Sequence, residues 1–253
     1  MNRPSILLAL LLALVLVGCR SPQPQKPRIT PVDHLTPLSP HEFLLGYSVE
    51  NRPINYLLLG FDPDVCLLMA SIHGNEQAGT PLLLQLIEHL KQPQNSHLLT
   101  SRQLVILPVA NPDGVAHNRR FNSRGIDLNR NFPAANRRNN RKFGHAALSE
   151  PESIAIHKLI DRYRPTRIIT IHQPLNCIDY DGPAQHLAQQ MAQHCNLPVK
   201  KLGSLPGSLG SYAGNSLGIP IITLEQPRSD DNLTPQQLWQ TYRAALLCFI
   251  ENK

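Results

Sequence analysis

The sequence predicts an α/β fold: a mixed, mostly parallel sheet sandwiched between helices. Three observations carry this. Short apolar runs without polar alternation recur along the chain, as expected of strands buried on both faces. Amphipathic stretches of helical period separate them. Polar residues capable of metal or acid–base chemistry sit just past the ends of several runs, where ligands gather in such sheets.

The elements follow in order. "INYLLLG" and "VCLLMAS" read as strands. "PLLLQLIEHLK" reads as a helix, with Leu83, Leu86, Ile87 and Leu90 on one face. "QLVILPV" is a strand. "SEPESIAIHKLIDRY" is a helix, and Ser149 with Glu152 fits a capping box. "RIITIH" is a strand, "GPAQHLAQQMAQHC" a helix and "IPIITLE" a strand. "TPQQLWQTYRAALLCFI" is the closing helix, with Thr234 as cap, Pro235 in the first turn and Gln237 completing a second capping box.

The chain of 253 residues and 42% hydrophobic content suits a substantial core. Residues 1–19 stand apart. Arg3 precedes a twelve-residue apolar run, Ile6 to Val17, too short to span a bilayer, which takes roughly 20 residues. A basic start, a short apolar centre and a small-residue junction read as an export signal. "LVGC", Leu16 to Cys19, resembles the lipobox of bacterial lipoproteins, which implies cleavage before Cys19 and lipidation of its thiol. Arg20 follows, and by resemblance to the bacterial sorting pattern this favours the periplasmic face of an outer membrane. Residues 20–40 hold six prolines in 21 positions, an extended, semi-rigid tether. Residues 41–253 are left for the folded domain.

Formal net charge is +6. Residues 119–142 hold eight Arg or Lys against one acid, Asp127. The stretch has little interleaved aromatic content, so a nucleic-acid partner is not predicted. Attraction to anionic wall material or carboxylate-rich peptides fits better. Beyond Cys19 there are four cysteines: Cys66, Cys177, Cys195 and Cys248. Export permits disulfides among them in three complete pairings, and buried free thiols are the alternative.

His73 and Glu76 lie in one turn after a strand, His172 ends another strand, and Glu225 ends a third. Alone, H-x-x-E is a weak signal, because a helix-capping turn with an exposed glutamate matches it too. The ordered set "HGNE", "NPDG", "GIDLNRNFP", "SEPE" and "TLE" resembles the zinc carboxypeptidase family over roughly residues 45 to 250. "IHQPLNCIDYDGPA" and "GSLGSYAGNSLGIPIITLEQP" look like its short bacterial branch, the murein peptide amidases, which cut between γ-D-glutamate and diaminopimelate in cell-wall peptides.

The resemblance implies one zinc ion per chain, held by His73, Glu76 and His172, a His2Glu set with a position left open for water. His172 is preferred over His157, His186 and His194, which lie on predicted helices. Glu225 is implied as general base and acid. Arg120 is implied as the group that polarises the carbonyl, with Arg119 adjacent. Asn129 and Arg130 are implied to grip the substrate carboxylate. Tyr212 and Tyr180 are the lid candidates. Asp179, Asp181, Ser208, Ser211 and Asn215 are polar groups available to a diaminopimelate side chain, and "CIDYDG" leads to the expectation that Asp179 and Asp181 contact its ammonium. Two other functions remain open: an N-acyl amino acid deacylase resembling aspartoacylase, which shares "HGNE" and "DLNR", and a non-catalytic wall-binding lipoprotein. "NPDG" and "SEPE" argue for the peptidase branch.

Overall fold

The computed structural model describes residues 41–252. The expected leader (1–19), with Cys19, and the tether (20–40) lie outside the described residues. Seven strands form one sheet: β1 (His41–Tyr47), β2 (Pro53–Gly60), β3 (Val65–Ala70), β4 (Gln103–Leu107), β5 (Arg167–His172), β6 (Leu175–Asp181) and β7 (Ile221–Pro227). Their spatial order is β1-β2-β4-β3-β5-β7-β6. The central strands β4, β3, β5 and β7 are parallel. β1 and β2 are antiparallel on one flank, and β6 on the other.

The apolar runs pair because they are covered on both faces. Along β3, Cys66, Leu68 and Ala70 join one core with Leu82, Leu83 and Leu86 of α1 (Gly79–Leu90) and Leu246 and Phe249 of α5 (Pro235–Glu251). Val65, Leu67 and Met69 face the other core, with Ile156, Leu159 and Ile160 of α3 (Pro151–Tyr163) and with Phe132 and Tyr212. α4 (Gln185–Ala192) joins the first layer through Leu187, Ala188 and Met191. Each fully buried leucine in these layers contributes about 1.5–3 kcal/mol of transfer free energy. Among the described residues no helix is long and apolar enough to cross a membrane.

Two strands differ from the sequence reading. β1 and β6 carry no continuous apolar run. Both are edge strands, and β6 (LNCIDYD) alternates polar side chains along its length. The segment after Gln173–Pro174, to which the sequence pattern gives no strand, is a strand whose register on β7 runs from Leu175↔Pro227 to Asp181↔Ile221. The capping box expected at α3 is also absent. Glu150 is the N-cap in extended conformation, without a side-chain cap bond. Glu152 is diverted to a tertiary contact described below. The box at α5 does form: Thr234 Oγ1 accepts from Gln237 N–H at 3.3 Å, and Gln237 Oε1 accepts from Thr234 N–H at 2.9 Å.

All four cysteines of the folded part are free thiols, with Cys66 and Cys177 buried. Burial pushes the Cys66 thiol up to about 12, as expected of an inert packing residue.

Candidate active site

β3 ends at Ala70, and Ser71 turns the chain in the left-handed region at φ 53°. The turn that follows carries His73 and Glu76 and leads into α1. Gly74 is required there. A Cβ on it would lie 1.9 Å from the carbonyl carbon of Gly114, so the two turns touch backbone to backbone. "NPDG" thus has a mechanical role. Asn111 caps the short helix α2 (Pro112–Ala116) by accepting from Gly114 N–H at 2.9 Å, and its amide donates to Ile72 O at 3.3 Å.

β5 delivers His172, and β7 delivers Glu225 opposite it in register. The ligand atoms of His73, Glu76 and His172 all lie within 4.8 Å of one another, and all three residues are buried. Nδ1 of His73 stands 2.8 Å from Glu76 Oε1, and Nδ1 of His172 stands 2.8 Å from Glu76 Oε2. On its far side His73 Nε2 contacts Asp127 Oδ1 at 3.2 Å. A second partner of this kind fixes ring orientation and tautomer. Burial raises the Glu76 carboxyl, but His172 and His73 outweigh that and hold it well below the usual carboxylate range. Asp127 follows the same pattern: burial raises it, and His73 with Arg120 and Arg130 brings it down. Glu225 goes the other way. Burial raises it, and His172 opposes only in part.

His73, Glu76, His172 and Glu225 line a cavity of about 350 Å³, together with Arg120, Asn129 and Arg130. Arg120 donates to Glu76 Oε1 at 3.2 Å and to Asp127 Oδ2 at 3.2 Å. Asn129 Oδ1 accepts from Leu209 N–H at 2.8 Å, which leaves its NH2 group as the donor available to a ligand. Arg130 is half-buried, and desolvation lowers its guanidinium. Glu225 Oε2 accepts from Leu175 N–H at 3.3 Å, leaving Oε1 without that bond.

The remaining candidates divide. Asp179, Asp181 and Ser208 line the cavity. Asp181 Oδ1 accepts from Ser204 Oγ and faces Lys201 Nζ at 3.4 Å, while Oδ2 packs on Gly210, where a Cβ would meet it at 2.0 Å. Asp179 is buried, accepts from Leu202 N–H at 2.9 Å, and has no cationic partner within salt-bridge distance among the described residues. Ser211 and Asn215 lie outside the lining, bonded to Asn136 and Ser204.

The two lid candidates, Tyr180 and Tyr212, stand apart from the cavity. Tyr180 alternates with Asp179 and Asp181 on β6, so its ring packs against the α1/α5 core, with Lys201 Nζ 4.3 Å over it. Tyr212 is buried, stacks on Phe132 at 6.1 Å between ring centroids, and bonds His157 Nδ1 at 2.9 Å. Neither lines the cavity.

Two groups were not assigned roles from sequence. Asp127 was visible as the lone acid of the basic stretch. Gln173 accepts from Ala78 N–H at 3.3 Å and donates to Pro227 O at 2.9 Å, tying β5 to the neighbouring turns; nothing in the sequence marked it.

The zinc carboxypeptidase family model matches residues 37–238. Murein peptide amidase A of Escherichia coli K12 is 33% identical over 192 residues, covering 68% of this chain and 76% of that protein. The protein of the same name from Vibrio campbellii is 30% identical over 220 residues, covering 79% and 85%. The crystal structure of murein-tripeptide amidase MpaA from Escherichia coli O157 superposes with a TM-score of 0.68 at 26% identity, covering 85% of this chain and 93% of that one. Carboxypeptidase A from Helicoverpa armigera gives a TM-score of 0.71 at 25% identity, covering 84% and 67%. The match across most of the chain, together with the residues gathered at the ends of β3, β5 and β7, places this protein in the zinc carboxypeptidase family of hydrolases.

Proposed function

We propose that the protein is a zinc-dependent amidase acting on murein peptides, cutting between γ-D-glutamate and diaminopimelate. The observation that carries this is one cavity holding His73, Glu76, His172 and Glu225 on one side and Arg120, Asn129 and Arg130 in the wall. The likeness to murein peptide amidases supports the substrate class.

The donor set fits zinc: two imidazole nitrogens and one carboxylate, buried and mutually close, with Asp127 behind His73. Zinc held there supplies Lewis acidity toward water and toward the scissile carbonyl. Asn129 and Arg130 bind the carboxylate of the leaving fragment and fix its register. Arg120 donates to the carbonyl oxygen as negative charge builds on it. Glu225 takes the proton of the attacking water and passes it to the departing amine nitrogen. A raised carboxyl is suited to giving that proton back.

The finer specificity rests on Asp179. An unpaired buried carboxylate in a cavity wall favours a cation. We assign it to the side-chain ammonium of diaminopimelate, with Asp181 kept as part of the scaffold by Lys201 and Ser204. Export and a lipid anchor at Cys19, with membrane contact through it, follow from the leader and the tether; radiolabelled fatty acid should enter the wild type and not Cys19→Ala.

The test is incubation of zinc-loaded protein with defined cell-wall tri- and tetrapeptides, with products read by mass. Release of a diaminopimelate-containing fragment from γ-D-glutamate supports the reading. Turnover of N-acyl amino acids with intact wall peptides refutes it.

A further inference from the structure

"SEPE" is the family motif to which the mechanism gives no task. Its two glutamates are both buried, and both reach a single side chain. Asn122 Nδ2 donates to Glu150 Oε2 at 2.8 Å and to Glu152 Oε2 at 3.2 Å. Glu152 is fully buried at the first turn of α3, where the helix N-terminus favours negative charge. Its other oxygen accepts from Val49 N–H at 3.2 Å. This contact is what displaces the expected capping box.

The other end of the Asn122 side chain closes a loop. Oδ1 accepts from Arg124 N–H at 3.1 Å and from Ile126 N–H at 3.0 Å. The Asn122 backbone N–H donates to Ile126 O at 3.1 Å, and its carbonyl accepts from Gly125 N–H at 2.9 Å. Both amide hydrogens and both lone pairs of this carboxamide are therefore used. The loop so closed bears Arg120 two residues before Asn122 and Asp127 five residues after it. No helix or strand holds Arg120. Its guanidinium is bonded to Glu76 and Asp127, and the segment that carries it is fastened by the buried side chain of Asn122.

We infer that Asn122, clamped by Glu150 and Glu152, is a positioning residue for Arg120. It acts through the loop and touches no reacting atom. This rests on the amidase reading for the role of Arg120; the clamp itself does not. A neutral double donor is needed at this position because both partners accept. Asn122→Asp keeps the shape, removes the donors and sets a third carboxylate against two others.

Two measurements on zinc-loaded protein test this. The first is hydrogen exchange, without substrate. Asn122→Asp and the milder Asn122→Ala should speed exchange at Arg124 and Ile126 and leave β3 and β5 protected. Asn122→Asp/Glu152→Gln, which returns a donor from the other side, should slow it again. Unchanged exchange in both single variants overturns the clamp. The second is a kinetic cycle on a murein tripeptide. Asn122→Asp should lower kcat about tenfold or more with little change in KM, since small misplacement of a catalytic group is costly. In an Arg120→Ala background the same change should have almost no further effect. An equal fall in both backgrounds overturns action through Arg120. Failure of the amidase reading is distinct from either result: it shows as no turnover by the wild type.

Discussion

His172 and Glu225 are paired residues on adjacent parallel strands, at the end of the β5–β7 ladder. A one-residue slip of β7 would turn Glu225 to the opposite face of the sheet. The apolar alternation around it prevents this: Leu224 and Ile222 face one core and Ile221 the other. The placing of Glu225 beside His172 is thus fixed by strand register. Glu225→Gln keeps size and register and removes the carboxylate proposed as the base. It should lower kcat by about 10²–10⁴-fold with zinc content unchanged, checked by steady-state kinetics beside metal analysis. Loss of zinc in this variant would show that Glu225 is a ligand instead.

Asp179 makes a separate, chemical prediction. Asp179→Asn should weaken kcat/KM on a diaminopimelate peptide by about 10–100-fold, the scale of a truncated charged contact in a cavity. On a peptide carrying 2-aminopimelate, which lacks the side-chain ammonium, the same change should cost almost nothing. Equal losses on both peptides would remove Asp179 from substrate recognition.

Tyr212→Phe should leave kcat and KM within a factor of two. Its hydroxyl bonds His157 away from the cavity, so its removal costs stability alone, about 1 kcal/mol. Chemical denaturation and kinetics on the same sample check both halves. A large fall in kcat would support a lid role for Tyr212.

The base of the sheet gives a pH dependence. Asp64 accepts from Arg167 Nη1 at 2.7 Å, and Arg167 also donates to Phe249 O and Ile250 O at the end of α5. Burial raises the Asp64 carboxyl, but Arg167 and Thr166 outweigh it, so its pKa is lowered from 3.8. A lowered folded pKa stabilises fully above the unfolded value, and that stability is lost as pH falls through the folded one. Wild type should therefore lose Tm more steeply than Asp64→Asn below its ordinary value of 3.8. Parallel Tm–pH curves would contradict this.

The central sheet was legible from local rules, and the metal-capable trio from its place at the strand ends together with the ordered family motifs. Continuous apolar runs mark strands covered on two faces, and polar residues at their carboxyl ends mark the ligand rim. The edge strands were not legible. β1 and β6 are held by one neighbour each and need no such run, so the pattern that marks the central strands misses them. Missing β6 also hid the alternation that turns Tyr180 into the core while Asp179 and Asp181 face the cavity. Asp127 and Asn122 were within quoted or adjacent motif residues, but their partners, His73 and Glu150 with Glu152, are 54, 28 and 30 residues away. Contacts of that kind have no period to read. Glu152 misled for a related reason: its spacing from Ser149 suits a cap, and a tertiary partner won it.

The most direct test is zinc K-edge absorption, or an anomalous difference map, on protein loaded with one equivalent of zinc. One ion bonded to Nδ1 of His73, Nδ1 of His172 and the Glu76 carboxylate is the predicted result, lost in His172→Ala. Zinc bound elsewhere, or retained unchanged in that variant, would contradict the account.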